Sequence, residues 1–432
     1  MIWHRRVFHH RCLILILLLL VSGIIALCIY LYSSEKEEEN IRLISCPPSI
    51  ALLFAATRVF GHSFSDWLSL WARRSGCPNA CIFADSHTRC KEGRNSSADA
   101  LIFHSRDLSL EHRTLRRNSS SHQLFILATL EAPPNSGSQE VNMFPLDFFD
   151  ATISYSTASD FHVTYDSFVP ITNRTSSASV WTEEEVKSAI DRKNESAFTL
   201  ISNCVTHSLR ESLIPVLEEA GIQINHRGKC AAYGSCNEEC ERQLIDTHRF
   251  YIAFENSACQ EYATEKAFKM KNLVVPIVLS RRLVGAVLPA DSFIAIDDFN
   301  SPLKLAEHLK MLERNRTAYS SYFEWTRRYE KTSRMSDGLC RLCDQLAREK
   351  TMTRGHSTHP TPKTAIRTVF SEDQQCVQGI GEKLLGGAAA GSSASHRHRK
   401  LLFLLFASLC LLFFVLFFVR RLRDRHSRKL LS

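Results

Sequence analysis

The sequence predicts an α/β protein in which two parallel-sheet units face each other across a cleft. Three observations predict this. Short apolar runs bounded by turn or polar residues recur through residues 50–156, as strands covered on both faces do. A second series, alternating with helical stretches, fills residues 197–315, and strand–helix alternation implies a parallel sheet with ligands at the carboxyl ends of its strands. The chain has 432 residues, 44% of them apolar, enough for two cores of ordinary size.

Taken in order, the chain opens on Arg5, Arg6 and Arg11 with no acid (residues 1–12), then "LILILLLLVSGIIALCIYLY" over residues 13–32. That run is long enough to span a bilayer. Basic residues before it and "SSEKEEEN" after it orient the N-terminus to the cytosol. It is long for a cleaved signal and no small-x-small site ends it, so a retained signal anchor is expected. A stem over 33–45 leads to a first unit over 46–190, with strands expected at 50–55, 80–85, 99–104, 123–131 and 151–156 and a helix over 64–74. "EAPPNSGS" (131–138) reads as a loop after a strand. "TEEEVKSAIDRKNES" (182–196) reads as a linking helix.

A second unit, 191–349, carries expected strands at 197–203, 222–224, 249–256, 273–280 and 292–298. Its expected helices cover 208–221 and begin at Thr264 and Ser301. From about 350 to 400 the Thr, Ser, Gly, His and Ala content shows no periodicity and predicts a flexible tether. "LLFLLFASLCLLFFVLFFV" (401–419) predicts a second transmembrane helix, and 420–432 a basic cytosolic tail. A lipid-anchor signal would end in its apolar segment, whereas this chain continues.

The net charge of +8 sits at the two ends, so the folded middle is net acidic. That excludes a nucleic-acid footprint over a folded domain. Glycosylation sequons at Asn95, Asn118, Asn173, Asn194 and Asn315 all fall between the two spans. Of fifteen cysteines, three lie in or beside the spans and twelve lie between them. An even number in an oxidising compartment predicts several disulfides. Cys340 and Cys343 form a C-x-x-C without a second C-x-x-C or a matched histidine pair, so disulfide partners are expected there rather than zinc.

The chemistry gathers in "FYIAFENSACQEYATEK", residues 250–266. An apolar strand ends at Glu255 and Asn256, and polar residues crowd the next turn. Thr264 can cap the helix that follows, whose N-terminus favours phosphate. Lys266 adds a full positive charge, Glu265 is placed to take ribose hydroxyls, and Tyr262 to meet a ligand. On pattern alone, a capped surface helix with ordinary polar residues stays open beside the phosphate pocket.

The same stretch resembles the signature of the α1,3-fucosyltransferases, glycosyltransferase family 10, which use GDP-fucose. "VVPIVLS" (274–280), "LPADSFIAIDDFNSPLKLAEHLKMLERN" (288–315) and "AYSSYFEW" (318–325) follow in the family's order. "ISNCVTHSLRESLIPVLEEAGIQINHRGKC" (201–230) resembles the segment holding its donor-binding arginine, here Arg210. "DALIFHSRDL" (99–108) and "LFILATLEAPPNS" (124–136) match more weakly. The resemblance implies a GT-B architecture of two Rossmann-like domains, with the acceptor glycan on the first and GDP-fucose on the second. It places Arg210, Asn256, Tyr262, Glu265 and Lys266 on donor-binding positions and Glu131 on that of the catalytic base. It requires no metal, with stimulation by a divalent cation at most. "IDDF" (296–299) is an adjacent acidic pair rather than a D-x-D, and His104 and His162 read as ordinary residues.

Departures are as informative. Where the family has Tyr-Arg-x-x-Ser-Asp, Tyr155, Ser159 and Asp160 match but Ser156 replaces the arginine. The later Pro-Tyr-Gly is Thr-Tyr-Asp around Tyr165. "VLSRRLVGAVLP" and Cys259 are closer to invertebrate members than to vertebrate Lewis-type enzymes. The implied activity is inverting transfer of L-fucose, α1,3 to N-acetylglucosamine, on a glycoprotein or glycolipid glycan at the Golgi membrane, with the catalytic region lumenal. The core of N-glycans is the alternative acceptor. A glycan- or nucleotide-binding relative without turnover is the alternative from another class.

Overall fold

A computed structural model describes residues 41–77, 81–91, 98–117, 123–145, 147–230 and 234–351, together with 366, 369, 370 and 375–381. Both expected membrane spans, with Asn95 and Asn118, lie outside the described residues. Among those described, no helix is long and apolar enough to cross a membrane.

The first domain holds β1 (Arg42–Ile44), β2 (Leu52–Ala55), α1 (Phe64–Ser75), β3 (Ile82–Ala84), β4 (Thr88–Cys90), β5 (Ala100–His104), β6 (Leu124–Thr129), β7 (Ala151–Ser154) and β8 (Phe161–His162). Six of these strands form one sheet in the order β3-β2-β5-β6-β7-β8, every pair parallel. All residues of β5, β6 and β7 are buried, which is why they read as unbroken apolar runs rather than alternating ones. The Ser63 hydroxyl caps α1 by accepting from the Asp66 amide, and Gly76 ends it at φ 69°, a left-handed turn that glycine adopts without penalty. The separate parallel pair β1–β4 is fastened by Cys46–Cys90.

The second domain follows α2 (Glu183–Asp191). It contains β9 (Glu195–Leu200), α3 (Arg210–Glu219), β10 (Ile224–Arg227), α4 (Glu238–Thr247), β11 (His248–Ile252), α5 (Glu265–Phe268), β12 (Val275–Val278), β13 (Ile294–Ala295) and α6 (Pro302–Arg314). Its five strands run parallel in the order β10-β9-β11-β12-β13.

Several expectations need correction. "EAPPNSGS" is not an open loop: Pro133–Asn135 makes a 3-10 turn, and a short helix covers Ser138–Asn142. Proline at the first position supplies the φ that such a turn needs. The run 292–298 is strand only at Ile294–Ala295 and then turns at Ile296–Asp298. There Asp298 pairs with Arg281 at 2.7 Å, and Asp297 accepts from the Arg281 amide at 2.8 Å, so both carboxylates serve the fold. The boundary at 349 also moves. In α7 (Gly338–Thr351), Leu339, Leu342, Cys343 and Leu346 join the core of the first domain, and Cys77–Cys340 and Cys81–Cys343 fasten the helix there. The C-x-x-C cysteines thus pair outward rather than with each other.

The stretch expected as a free tether is anchored at two places. Ile366 is buried in the first domain's second core layer with Phe370 packed against it, while Cys376 bonds Cys259 and Ile380 is buried in the second domain's core. With Cys204–Cys230 and Cys236–Cys240, all twelve cysteines between the expected spans are paired.

Candidate active site between the two sheets

The carboxyl ends of β6 and β11 meet where the domains join. The chain leaves β6 through Leu130, and Glu131 follows as the first carboxylate of the loop. Its Oε2 accepts from the Tyr262 hydroxyl at 3.2 Å, a contact made across the domain boundary. Burial pushes the Glu131 carboxyl up; Tyr262, the Lys266 charge and the Asn256 side chain pull it only partly back. A carboxylate raised in this way is a better proton acceptor than a solvated one.

Tyr262 is not placed as the sequence suggests. It is 2% exposed and belongs to the first domain's core, 4.9 Å from the Tyr155 ring and 6.4 Å from the Tyr165 ring. The chain turns it inward at Glu261, which adopts φ 62°, a conformation that non-glycine residues rarely take. Glu261 accepts at its carboxylate from the Thr157 amide and hydroxyl at 2.8 and 2.7 Å. Asn135 adds a further link across the boundary, donating to the Ser257 hydroxyl at 2.9 Å. The Tyr262 ring is thus packed in the first domain's core, with its hydroxyl on Glu131.

The cationic side lies on the second domain. Lys266, in the first turn of α5, donates to Glu265 at 2.9 Å and to the Thr264 hydroxyl at 3.0 Å, and lies 3.5 Å from Glu255. Burial pulls its pKa down, but the Glu255 and Glu265 carboxylates more than offset this and hold it above the ordinary lysine value. Glu265 keeps most of its side chain in solvent; the surrounding protein pushes its carboxyl up, and the adjacent Lys266 ammonium prevails to hold it low. Thr264 caps α5 as expected.

Arg210 opens α3 directly after Leu209, another left-handed residue, at φ 55°. The guanidinium is 2% exposed and donates to the carbonyls of Phe254 at 2.6 Å and Asn203 at 3.2 Å. Burial pulls its pKa down. Among the described residues, its Nε has no partner, and neither do Asn256 Oδ1 and the Tyr155 hydroxyl. Buried polar atoms are nearly always satisfied in native folds, which makes Arg210 Nε and Asn256 Oδ1 candidate contacts for a ligand.

The sequence reading gave Glu255 no role. It is the buried carboxylate beneath the cap, accepting from the Thr264 amide and hydroxyl at 2.8 Å each, and burial raises its pKa. Its position between an apolar strand end and Asn256 was the available signal. Ser156, in place of the family's arginine, is buried and accepts from the Ala158 amide. Asp160 fixes the same turn through Thr152. His104 is buried against Asp107 and His162 is bonded to the Tyr155 carbonyl. Among the described residues, no group of three or more His, Cys, Asp or Glu is arranged to hold a metal ion. Asn173, Asn194 and Asn315 are exposed.

Two family models match the chain: the fucosyltransferase N-terminal domain over residues 49–166, and the glycosyltransferase family 10 (fucosyltransferase) C-terminal domain over residues 190–359. The α-(1,3)-fucosyltransferase fut-6 of Caenorhabditis elegans is 28% identical over 342 residues, covering 73% of this chain and 82% of that protein. The 3-galactosyl-N-acetylglucosaminide 4-α-L-fucosyltransferase FUT3 of Pan troglodytes is 30% identical over 277 residues, covering 62% and 70%. A crystal structure of an α1,3-fucosyltransferase with GDP-fucose superposes with a TM-score of 0.46 at 12% identity, covering 72% of this chain and 93% of that one.

Proposed function

The chain belongs to glycosyltransferase family 10, the fucosyltransferases, and from that premise we propose that it moves L-fucose from GDP-fucose to O3 of N-acetylglucosamine in a glycan, with inversion at the anomeric carbon. The observation that carries this reading is the pairing of opposite chemistries across one boundary: a half-buried Glu131, its carboxyl pushed up by its surroundings, on the first domain, and Arg210 and Lys266 on the second.

In this mechanism Glu131 takes the proton from the acceptor hydroxyl as that oxygen bonds to the anomeric carbon. The bond from that carbon to the diphosphate breaks at the same time. Negative charge then grows on the GDP oxygens, where Arg210 and Lys266 offset it without having to reorganise. Asn256 and the Nε of Arg210, unpartnered among the described residues, offer hydrogen-bonding atoms to the donor, and Glu265, exposed at the start of α5, takes the ribose hydroxyls. Six disulfides support an oxidising compartment. Together with the charge-free runs at 13–32 and 401–419, they support the reading of a catalytic region on the lumenal side of the Golgi membrane.

The test is an acceptor array with GDP-fucose, including N-acetyllactosamine and N-glycan core structures, followed by linkage analysis of the products. Transfer to O3 of N-acetylglucosamine is expected. GDP-fucose binding with neither transfer nor hydrolysis would identify a binding relative and end the enzyme reading.

A further inference from the structure

The segment 375–381 touches the two strained turns of the site and little in the reaction itself. It lies along the loop that ends in Tyr262: the Gln260 amide donates to the Gln375 carbonyl at 2.7 Å, and the Val377 amide to the Ala258 carbonyl at 2.8 Å. Between those two bonds, Cys376 is joined covalently to Cys259. The segment then reaches the turn before α3, where the Gly381 amide donates to the Ser208 carbonyl at 3.1 Å. A Cβ at Gly381 would meet the Leu209 carbonyl oxygen at 2.6 Å, so only glycine lets the backbones approach this closely. Ile380 is buried in the second domain's core between these points.

Both turns hold a non-glycine residue in the left-handed region, Glu261 immediately before Tyr262 and Leu209 immediately before Arg210. Such conformations persist only where the surroundings over-determine them. The Ser208 amide also donates to the Asn256 carbonyl at 3.0 Å, and its hydroxyl to the Glu255 carbonyl at 2.7 Å, so the two turns are already coupled. We propose that residues 375–381, fastened by Cys259–Cys376, form a clasp that holds both turns and so positions Arg210 for the donor. Gln375, Cys376 and Gly381 act here as positioning residues, through Ser208–Leu209 and Ala258–Glu261; none is assigned a contact with a substrate. The role in donor binding rests on the function proposed above, whereas the mechanical role does not.

The test uses the full chain and two variants. Cys259→Ser/Cys376→Ser removes the fastening without leaving a free thiol. Gly381→Ala leaves every disulfide intact and pushes on the Leu209 carbonyl. For both, the expected result is a rise of about tenfold in the KM for GDP-fucose and in the Kd for GDP, with kcat at saturating donor and the acceptor KM within about twofold. Hydrogen exchange without ligand is expected to quicken in residues 204–212 and 255–263. A fall in kcat with donor KM and GDP affinity unchanged would reduce the bridge to general stability and overturn the proposal. So would unchanged exchange in those two segments. If the wild-type chain binds no GDP, the donor-site reading fails, and exchange alone still decides the clasp.

Discussion

At the end of β6 the first domain presents one half-buried carboxylate, Glu131, beside the Tyr262 hydroxyl, whose ring packs on Tyr155 and Tyr165. At the end of β11 the second domain presents a dense polar network in which Glu255, Thr264, Glu265 and Lys266 bond one another within a dozen residues of chain. A group that must accept a proton gains from partial isolation from water, because desolvation raises its pKa. A group that must stay positive beside a leaving phosphate gains from carboxylates that keep it protonated. The contrast therefore fits the roles proposed for each side, and it predicts different failures when each is cut.

The largest effect is expected at the isolated side. Glu131→Gln keeps the shape and the Tyr262 contact but cannot accept a proton, so kcat should fall about 10²- to 10⁴-fold. GDP affinity, measured by calorimetry, should stay within about twofold. Full activity in this variant would remove Glu131 from the mechanism and with it the contrast.

A comparable cost is expected where the domains are locked together. Asp166 accepts from Lys271 at 2.8 Å, from the Ser333 hydroxyl at 2.7 Å and from the Arg334 amide at 2.9 Å. Lys271 also donates to the carbonyls of Ser167 and Thr332. Both side chains are almost fully buried. Asp166→Asn leaves the Lys271 ammonium without its counter-charge, which costs about 3–5 kcal/mol in such settings. A clear drop in the urea midpoint is expected; an unchanged midpoint would mean that the pair is dispensable to the join.

On the networked side, Lys266→Met should lower kcat about 10²- to 10³-fold, as loss of one transition-state donor does, and should weaken GDP binding as well. Loss of binding with loss of rate would separate this side from Glu131, where rate alone is expected to suffer.

How much of this was legible follows the same divide. The central strands of both sheets could be read because they are apolar on both faces, and the donor side because its polar residues are adjacent in sequence. What could not be read depends on distant residues. Tyr262 sits in a polar stretch and reads as exposed, yet two tyrosines from the first domain bury it. Helix α4 escaped notice because Leu244 and Ile245 are its only buried residues and its first turn is acidic. The partners of Cys340 and Cys343 lie more than 260 residues upstream, which no local pattern encodes. The docking of 375–381 rests on backbone bonds and one cysteine in a segment without periodicity.

The smallest effect tests how the two sides communicate. The Tyr262 hydroxyl donates to Glu131 and so favours its charged form, opposing the burial that raises its pKa. Tyr262→Phe removes that donor while keeping the ring between Tyr155 and Tyr165. The folded-state pKa of Glu131 should then rise further. Because the base works deprotonated, the acidic limb of kcat/KM against pH should move to higher pH. Above the limb, the loss should stay under about tenfold, the scale of one hydrogen bond; below it, the variant should fall progressively behind the wild type. A limb that stays in place, or moves to lower pH, would show that the group titrating in the rate profile is not the carboxylate Tyr262 touches.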